Sequence, residues 1–85
     1  YTRPVFYPNP VTERLTVLLP DGLTGDVHAE ILTAAGMLVR DLRFFHNAGE
    51  EFYYDVSSLK SGAYFMRFTA DQNAACSVIK FLVVK

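Results

Sequence analysis

Ser61-Gly62-Ala63-Tyr64-Phe65-Met66-Arg67-Phe68-Thr69 is the stretch that decides the fold. After the turn residues Ser61-Gly62, Tyr64, Met66 and Phe68 alternate with Phe65, Arg67 and Thr69. A period of two sends successive side chains to opposite faces of a pleated strand, so one set turns inward. The same period recurs outward from there. Phe52, Tyr54 and Val56 alternate with Glu51, Tyr53 and Asp55; Val27, Ala29 and Ile31 with His28, Glu30 and Leu32; Leu15, Val17 and Leu19 with Arg14, Thr16 and Leu18. Towards the end of the chain, Ser77, Ile79, Phe81 and Val83 alternate with Val78, Lys80, Leu82 and Val84, and there both sets are largely apolar.

Between Met37 and Phe45 the parity slips, with Val39 and Leu42 on opposite faces, so a bulge is expected in that strand. A short strand near Val5 to Tyr7 brings the expected count to about seven. Turn residues punctuate the strands: Pro8-Asn9-Pro10, Pro20-Asp21-Gly22, Gly25-Asp26, Ala35-Gly36, Asn47-Ala48-Gly49, Ser61-Gly62 and Asp71-Gln72-Asn73. Ala29 to Val39 is the one stretch that admits a helical reading, and Gly36 with the β-branched residues around it argues against that. Short strands at close, regular spacing favour a β-sandwich over a barrel or a meander.

Eighty-five residues make one small domain, and 51% hydrophobic with 20% charged residues is a globular composition. Eight basic and nine acidic residues nearly cancel and neither sign is bunched. That leaves no electrostatic footprint for nucleic acid or an anionic membrane. Apolar runs are no longer than Phe81 to Val84, far short of the roughly 20 residues of a spanning helix. No basic-plus-apolar leader opens the chain, and Tyr1-Thr2-Arg3 reads as the start of a fragment, whereas Val84-Lys85 is compatible with a true C-terminus.

Candidate chemistry is sparse. Cys76 cannot form an internal disulfide, and as a nucleophile it would need His28 or His46 within hydrogen-bond reach and a third group to orient the ring. Two histidines and one cysteine in separate segments offer no metal-ligand pair at short spacing. A surface calcium site built from the turn residues Asp21, Asp26 and Asp71 is the remaining metal arrangement, and no cofactor motif is present. Phe44-Phe45 and Phe52-Tyr53-Tyr54 either fill the core and cover cross-strand neighbours or line a carbohydrate or peptide groove.

A set of short motifs in fixed order carries more. Phe6-Tyr7-Pro8-Asn9-Pro10-Val11 leads into Leu15-Thr16-Val17; Ala29-Glu30-Ile31-Leu32 precedes Ala35-Gly36-Met37-Leu38-Val39. The run from Asp55 to Phe68 contains Leu59-Lys60-Ser61-Gly62-Ala63-Tyr64, and the chain closes on Val78-Ile79-Lys80-Phe81-Leu82-Val83-Val84-Lys85. From Val5 to Lys85 this closely resembles the type A C-terminal sorting domain of the type IX (Por) secretion system of Gram-negative Bacteroidetes. Ala75-Cys76-Ser77 departs from the family's more polar or basic pattern, leaving Lys80 and Lys85 as the basic groups near the last strand. The resemblance sharpens the fold to an all-β, seven-stranded immunoglobulin-like antiparallel β-sandwich over residues 1–85.

It also implies a role: an export address behind an N-terminal passenger, in a protein that crosses the periplasm on its way to the outer membrane, cell surface or medium. The implied partners are the translocon, its outer-membrane shuttle protein and a sortase that removes the domain; some members keep it as an anchor. No nucleic acid, cofactor or metal is implied. Pro8, Asn9, Pro10, Gly36, Leu59, Gly62 and Tyr64 are then family motif residues with mainly structural roles. Pro8 and Pro10 stiffen the corner that aims the first strand into the sheet, Gly36 closes a hairpin, and Gly62 permits a tight turn after Leu59.

Val78, Lys80, Leu82, Val83, Val84 and Lys85 are the candidate recognition residues, because in that family the terminal segment is what the machinery reads. On the residues alone, the outer apolar row of the last strand is either buried in a central strand or displayed at an edge. If displayed, a partner would add a strand along the edge and take the Lys85 ammonium or carboxylate in a polar pocket, and edge-paired or swapped dimers become feasible. The alternative function is an adhesive or carbohydrate-binding sandwich with Phe44, Phe45 and Tyr53 as its platform.

Overall fold

The computed structural model describes residues 4–20, 23–47, 49–70 and 76–85. Alternation of apolar and polar residues yields seven strands: β1 (Val5–Tyr7), β2 (Arg14–Leu18), β3 (Gly25–Thr33), β4 (Leu38–His46), β5 (Glu51–Asp55), β6 (Gly62–Ala70) and β7 (Cys76–Val83). They form two antiparallel sheets, β1-β2-β5 and β4-β3-β6-β7, and no helix occurs among the described residues. A three-stranded sheet facing a four-stranded one, with chain crossovers between them, is the immunoglobulin-like arrangement expected from the sequence. The turn residues Asp21, Gly22, Ala48, Asp71, Gln72 and Asn73 lie outside the described residues.

The period-two reading places the core correctly. Leu15 and Val17 of β2, Val27, Ala29 and Ile31 of β3, Tyr64, Met66 and Phe68 of β6, and Ile79, Phe81 and Val83 of β7 are all buried. Phe68 and Phe81 are the largest fully enclosed side chains. Each contributes roughly 2–3 kcal/mol by leaving water, and truncation to alanine would cost about 3–5 kcal/mol once the cavity is counted. Phe44 and Phe52, from opposite sheets, stack at 4.4 Å between ring centroids, and Phe52 meets Phe68 edge-on at 5.9 Å. Aromatic stacking thus joins the sheets at one end of the sandwich.

The expected slip in β4 is a register shift: Ile31 pairs with Arg40 but Leu32 pairs with Leu38, so Val39 is the extra residue. Gly36 sits in the hairpin just before it with φ of +88°, and its N–H donates to the Thr33 carbonyl at 2.9 Å. Tyr64 reaches back so that its hydroxyl donates to the Lys60 carbonyl at 2.7 Å, while its ring stacks on Phe81 at 5.8 Å. This tyrosine corner pins the loop before β6 to the core and, through Phe81, to the last strand.

Candidate functional site

The terminal strand is an edge strand. Among the described residues β7 pairs within its sheet with β6 alone, and its outward row is exposed, which argues against a central strand buried on both faces. Its inward row is Ile79, Phe81 and Val83; its outward row is Val78, Lys80 and Leu82, continued by Val84. Val78, Leu82 and Val84 are 55%, 42% and 48% exposed. Lys80 extends over the Phe65 ring at 6.0 Å and lies in register with it. The row is thus a folded surface of branched apolar side chains around one cation.

The last residues of that strand are held by the turn between β1 and β2. The Asn9 side-chain carbonyl accepts the Leu82 N–H at 3.0 Å. The Val11 N–H donates to the Leu82 carbonyl at 2.8 Å, and the Val84 N–H donates to the Val11 carbonyl at 3.0 Å. Val11 is fully buried and forms a parallel bridge with Val83. After β1 the chain therefore crosses from the three-stranded sheet to lie beside the end of β7 in the other sheet. The proline-flanked asparagine is the side chain that completes this crossing, with Pro8 and Pro10 fixing φ on either side of it.

Lys85 closes the arrangement. Its ammonium donates to the carbonyls of Thr12 and Val56, each at 3.1 Å, and its backbone N–H donates to the Ser61 hydroxyl at 3.0 Å. The Val56 N–H in turn donates to the Glu13 carbonyl at 2.7 Å, so both sheets meet at the chain end. Asp55 lies close by. Hydrogen bonds from the Ser57 hydroxyl and backbone N–H hold its carboxyl below the usual carboxylate value, with the positive charges of Lys85 and Arg14 adding to the effect.

Two expectations need correction. Strand addition along the end of β7 is blocked, because Asn9 and Val11 already occupy the outward-facing backbone groups of Leu82 and the N–H of Val84. The Lys85 ammonium is likewise engaged within the chain rather than offered to a polar pocket of a partner. Of the six recognition candidates, Val78, Lys80, Leu82 and Val84 are displayed together, Lys85 serves the clamp, and Val83 points into the core. Among the motif residues, Leu59 is buried, and Gly62 opens β6 with φ of +156°. Asn9 and Val11 as partners of the last strand had no local signal in the sequence.

The other candidate chemistry is separated in space. Cys76 and His28 lie on β7 and β3 with β6 between them, two strand spacings or about 10 Å apart. His28 bonds Asp41, and the buried His46 ring bonds the carbonyls of Leu23 and Glu50, so neither serves as base to Cys76. No cluster of three metal-ligating side chains occurs among the described residues, and of the calcium candidates Asp21 and Asp71 fall outside them. The aromatic platform is not formed either. Phe44 is packed between the sheets, while Phe45 (63% exposed) and Tyr53 (52% exposed) stand on the outer faces of different sheets, with Arg14 over the Tyr53 ring.

Comparison with solved structures finds the same architecture in PorZ, described as an essential bacterial surface component of the type-IX secretion system of Porphyromonas gingivalis. The TM-score is 0.69 at 17% identity, covering 96% of this chain and 11% of that one. At that identity the likeness shows the fold, and the chain spans only a small part of PorZ. No curated protein matches the sequence as a relative. The family described as the secretion system C-terminal sorting domain matches residues 5–85, the same span that the two sheets and the clamped terminal strand occupy. The chain belongs to that family and is a C-terminal sorting signal of the type IX secretion system.

Proposed function

We propose that the chain directs an N-terminal passenger from the periplasm across the outer membrane, and that the secretion machinery reads the displayed row Val78, Lys80, Leu82 and Val84 on the folded domain. The observation that carries this reading is the outward row of β7 on an edge strand whose end is clamped by Asn9, Val11 and Lys85. The clamp fixes the backbone beneath the row, so a receptor meets a preformed surface rather than a mobile tail. The partners of this role are the translocon, its outer-membrane shuttle protein and a sortase that removes the domain or transfers the passenger to a surface anchor.

The test is a reporter enzyme with a cleavable export leader, fused in front of the chain in a host with a type IX system. Reporter activity is expected at the cell surface with the chain and in the periplasm without it. Equal surface activity with and without the chain would contradict the role.

A further inference from the structure

A second open edge lies on the far side of the four-stranded sheet. β4 is nine residues long and, among the described residues, bonds to β3 alone, whereas the edges of the other sheet, β1 and β5, have three and five residues, and β7 is covered at its end. Long, uncovered edges are where chains pair with copies of themselves.

Which β4 backbone groups face outward follows from the ladder. In antiparallel pairs the residues alternate between bonding one neighbour and bonding the other. Leu82 directs its N–H and carbonyl away from β6, towards Asn9 and Val11. Ala63, opposite Leu82, therefore faces β3, as do Phe65, Arg67 and Thr69. Leu32, Glu30 and His28 then bond β6, which leaves Ile31, Ala29, Val27 and Gly25 to bond Arg40, Leu42, Phe44 and His46 of β4. Asp41, Arg43 and Phe45 thus carry the backbone groups that point outward.

We infer that β4 pairs antiparallel with β4 of a second copy of this chain, centred on Leu42. That register sets the outward-bonding residues Asp41 and Arg43 directly opposite Arg43 and Asp41 of the other copy. Both cross-edge pairs then join opposite charges on the outer face, where directly facing side chains interact most strongly. A shift of two residues in pairing would put Arg43 opposite Arg43 or Asp41 opposite Asp41, so like charges disfavour the neighbouring registers. At the margins, the exposed Phe45 of each copy lies beside the exposed Leu38–Val39 segment of the other. The result is one continuous sheet from two four-stranded ones, closed by a two-fold axis. Contact along a single strand edge makes a small interface, which would leave the dimer reversible. The inference is independent of the sorting role, because it uses the opposite edge of the sheet from β7.

Sedimentation of the 85-residue chain over a concentration series reaching millimolar tests it. The wild type is expected to move from monomer to dimer with rising concentration. Asp41→Arg and Arg43→Asp should each weaken the dimer by roughly tenfold or more, since each change turns two attractions into two repulsions. Combining both substitutions restores opposite charges and should restore the dimer. Melting curves on each variant identify any that fails to fold, and either single substitution alone carries the comparison. A chain that stays monomeric at millimolar concentration, a dimer indifferent to both reversals, or a double variant that fails to recover would each overturn the inference.

Discussion

The Asn9 side chain holds the backbone of Leu82 at 3.0 Å across 73 residues of sequence. A residue from the first turn thereby fixes the end of the terminal edge strand. Removing the amide takes away one hydrogen bond at a partly solvated site, so Asn9→Ala is expected to cost about 0.5–1.5 kcal/mol. Amide exchange gives the finer reading. Leu82 and Val84 should exchange slowly in the wild type and Val78 and Lys80 quickly, since among the described residues only the first two N–H groups have partners on the open side. In Asn9→Ala, Leu82 should lose its protection; uniform exchange along β7 in the wild type would count against the clamp.

Lys85→Met keeps most of the apolar stem while deleting the ammonium that reaches the Thr12 and Val56 carbonyls. The expected loss is roughly 1–2 kcal/mol, because part of that interaction is screened by solvent. An unchanged urea midpoint would mean that the ammonium does not help to hold the chain end.

Gly62→Ala tests backbone conformation rather than packing. A β-carbon at this position would meet nothing nearer than the Tyr64 ring at 3.9 Å, so space is available. A φ of +156° is nonetheless one that other residues rarely adopt, and the substitution should cost about 1–2 kcal/mol. The measurement is the melting temperature, with Gly49→Ala as a second position of positive φ and open space around it.

Acid should weaken the chain end through Asp55. Its carboxyl is held below the ordinary value of 3.8 in the folded protein, so the folded state binds this proton less readily than the unfolded one. The stabilisation is complete above 3.8 and is lost as pH falls through the lower folded value. Wild type should therefore exceed Asp55→Asn in urea midpoint at neutral pH, and the gap should narrow well below 3.8. A gap that persists unchanged in acid would show that the carboxylate's charge is not what matters there.

The alternation of Tyr64, Met66 and Phe68, and of Ile79, Phe81 and Val83, made the strands and their buried faces legible, because a strand facing a core has no other way to arrange its side chains. The bulge showed as the slip between Val39 and Leu42. Neighbours across the fold did not show. Periodicity assigns a side chain to a face but says nothing about which backbone lies beside an edge, so the pairing of Val11 with Val83 was invisible. For the same reason Lys85 read as an exposed terminal cation, when two carbonyls from distant segments receive it. The adjacent aromatics Phe44 and Phe45 read as either core-filling alternation or a shared groove, and the strand sends them to opposite sides, as alternation requires.

Surface arrival of a passenger, compared among three variants, tests the central claim most directly. Leu82→Glu and Val78→Glu alter the displayed row of β7 without touching the core, whereas Gly62→Ala weakens the fold and leaves the row intact. Surface and periplasmic reporter are measured together, with the melting temperature of each domain recorded alongside. The row variants should strand the reporter in the periplasm while melting near the wild type, and Gly62→Ala should deliver it despite melting lower. Normal delivery from both row variants, or loss of delivery that follows melting temperature alone, would contradict recognition of this surface.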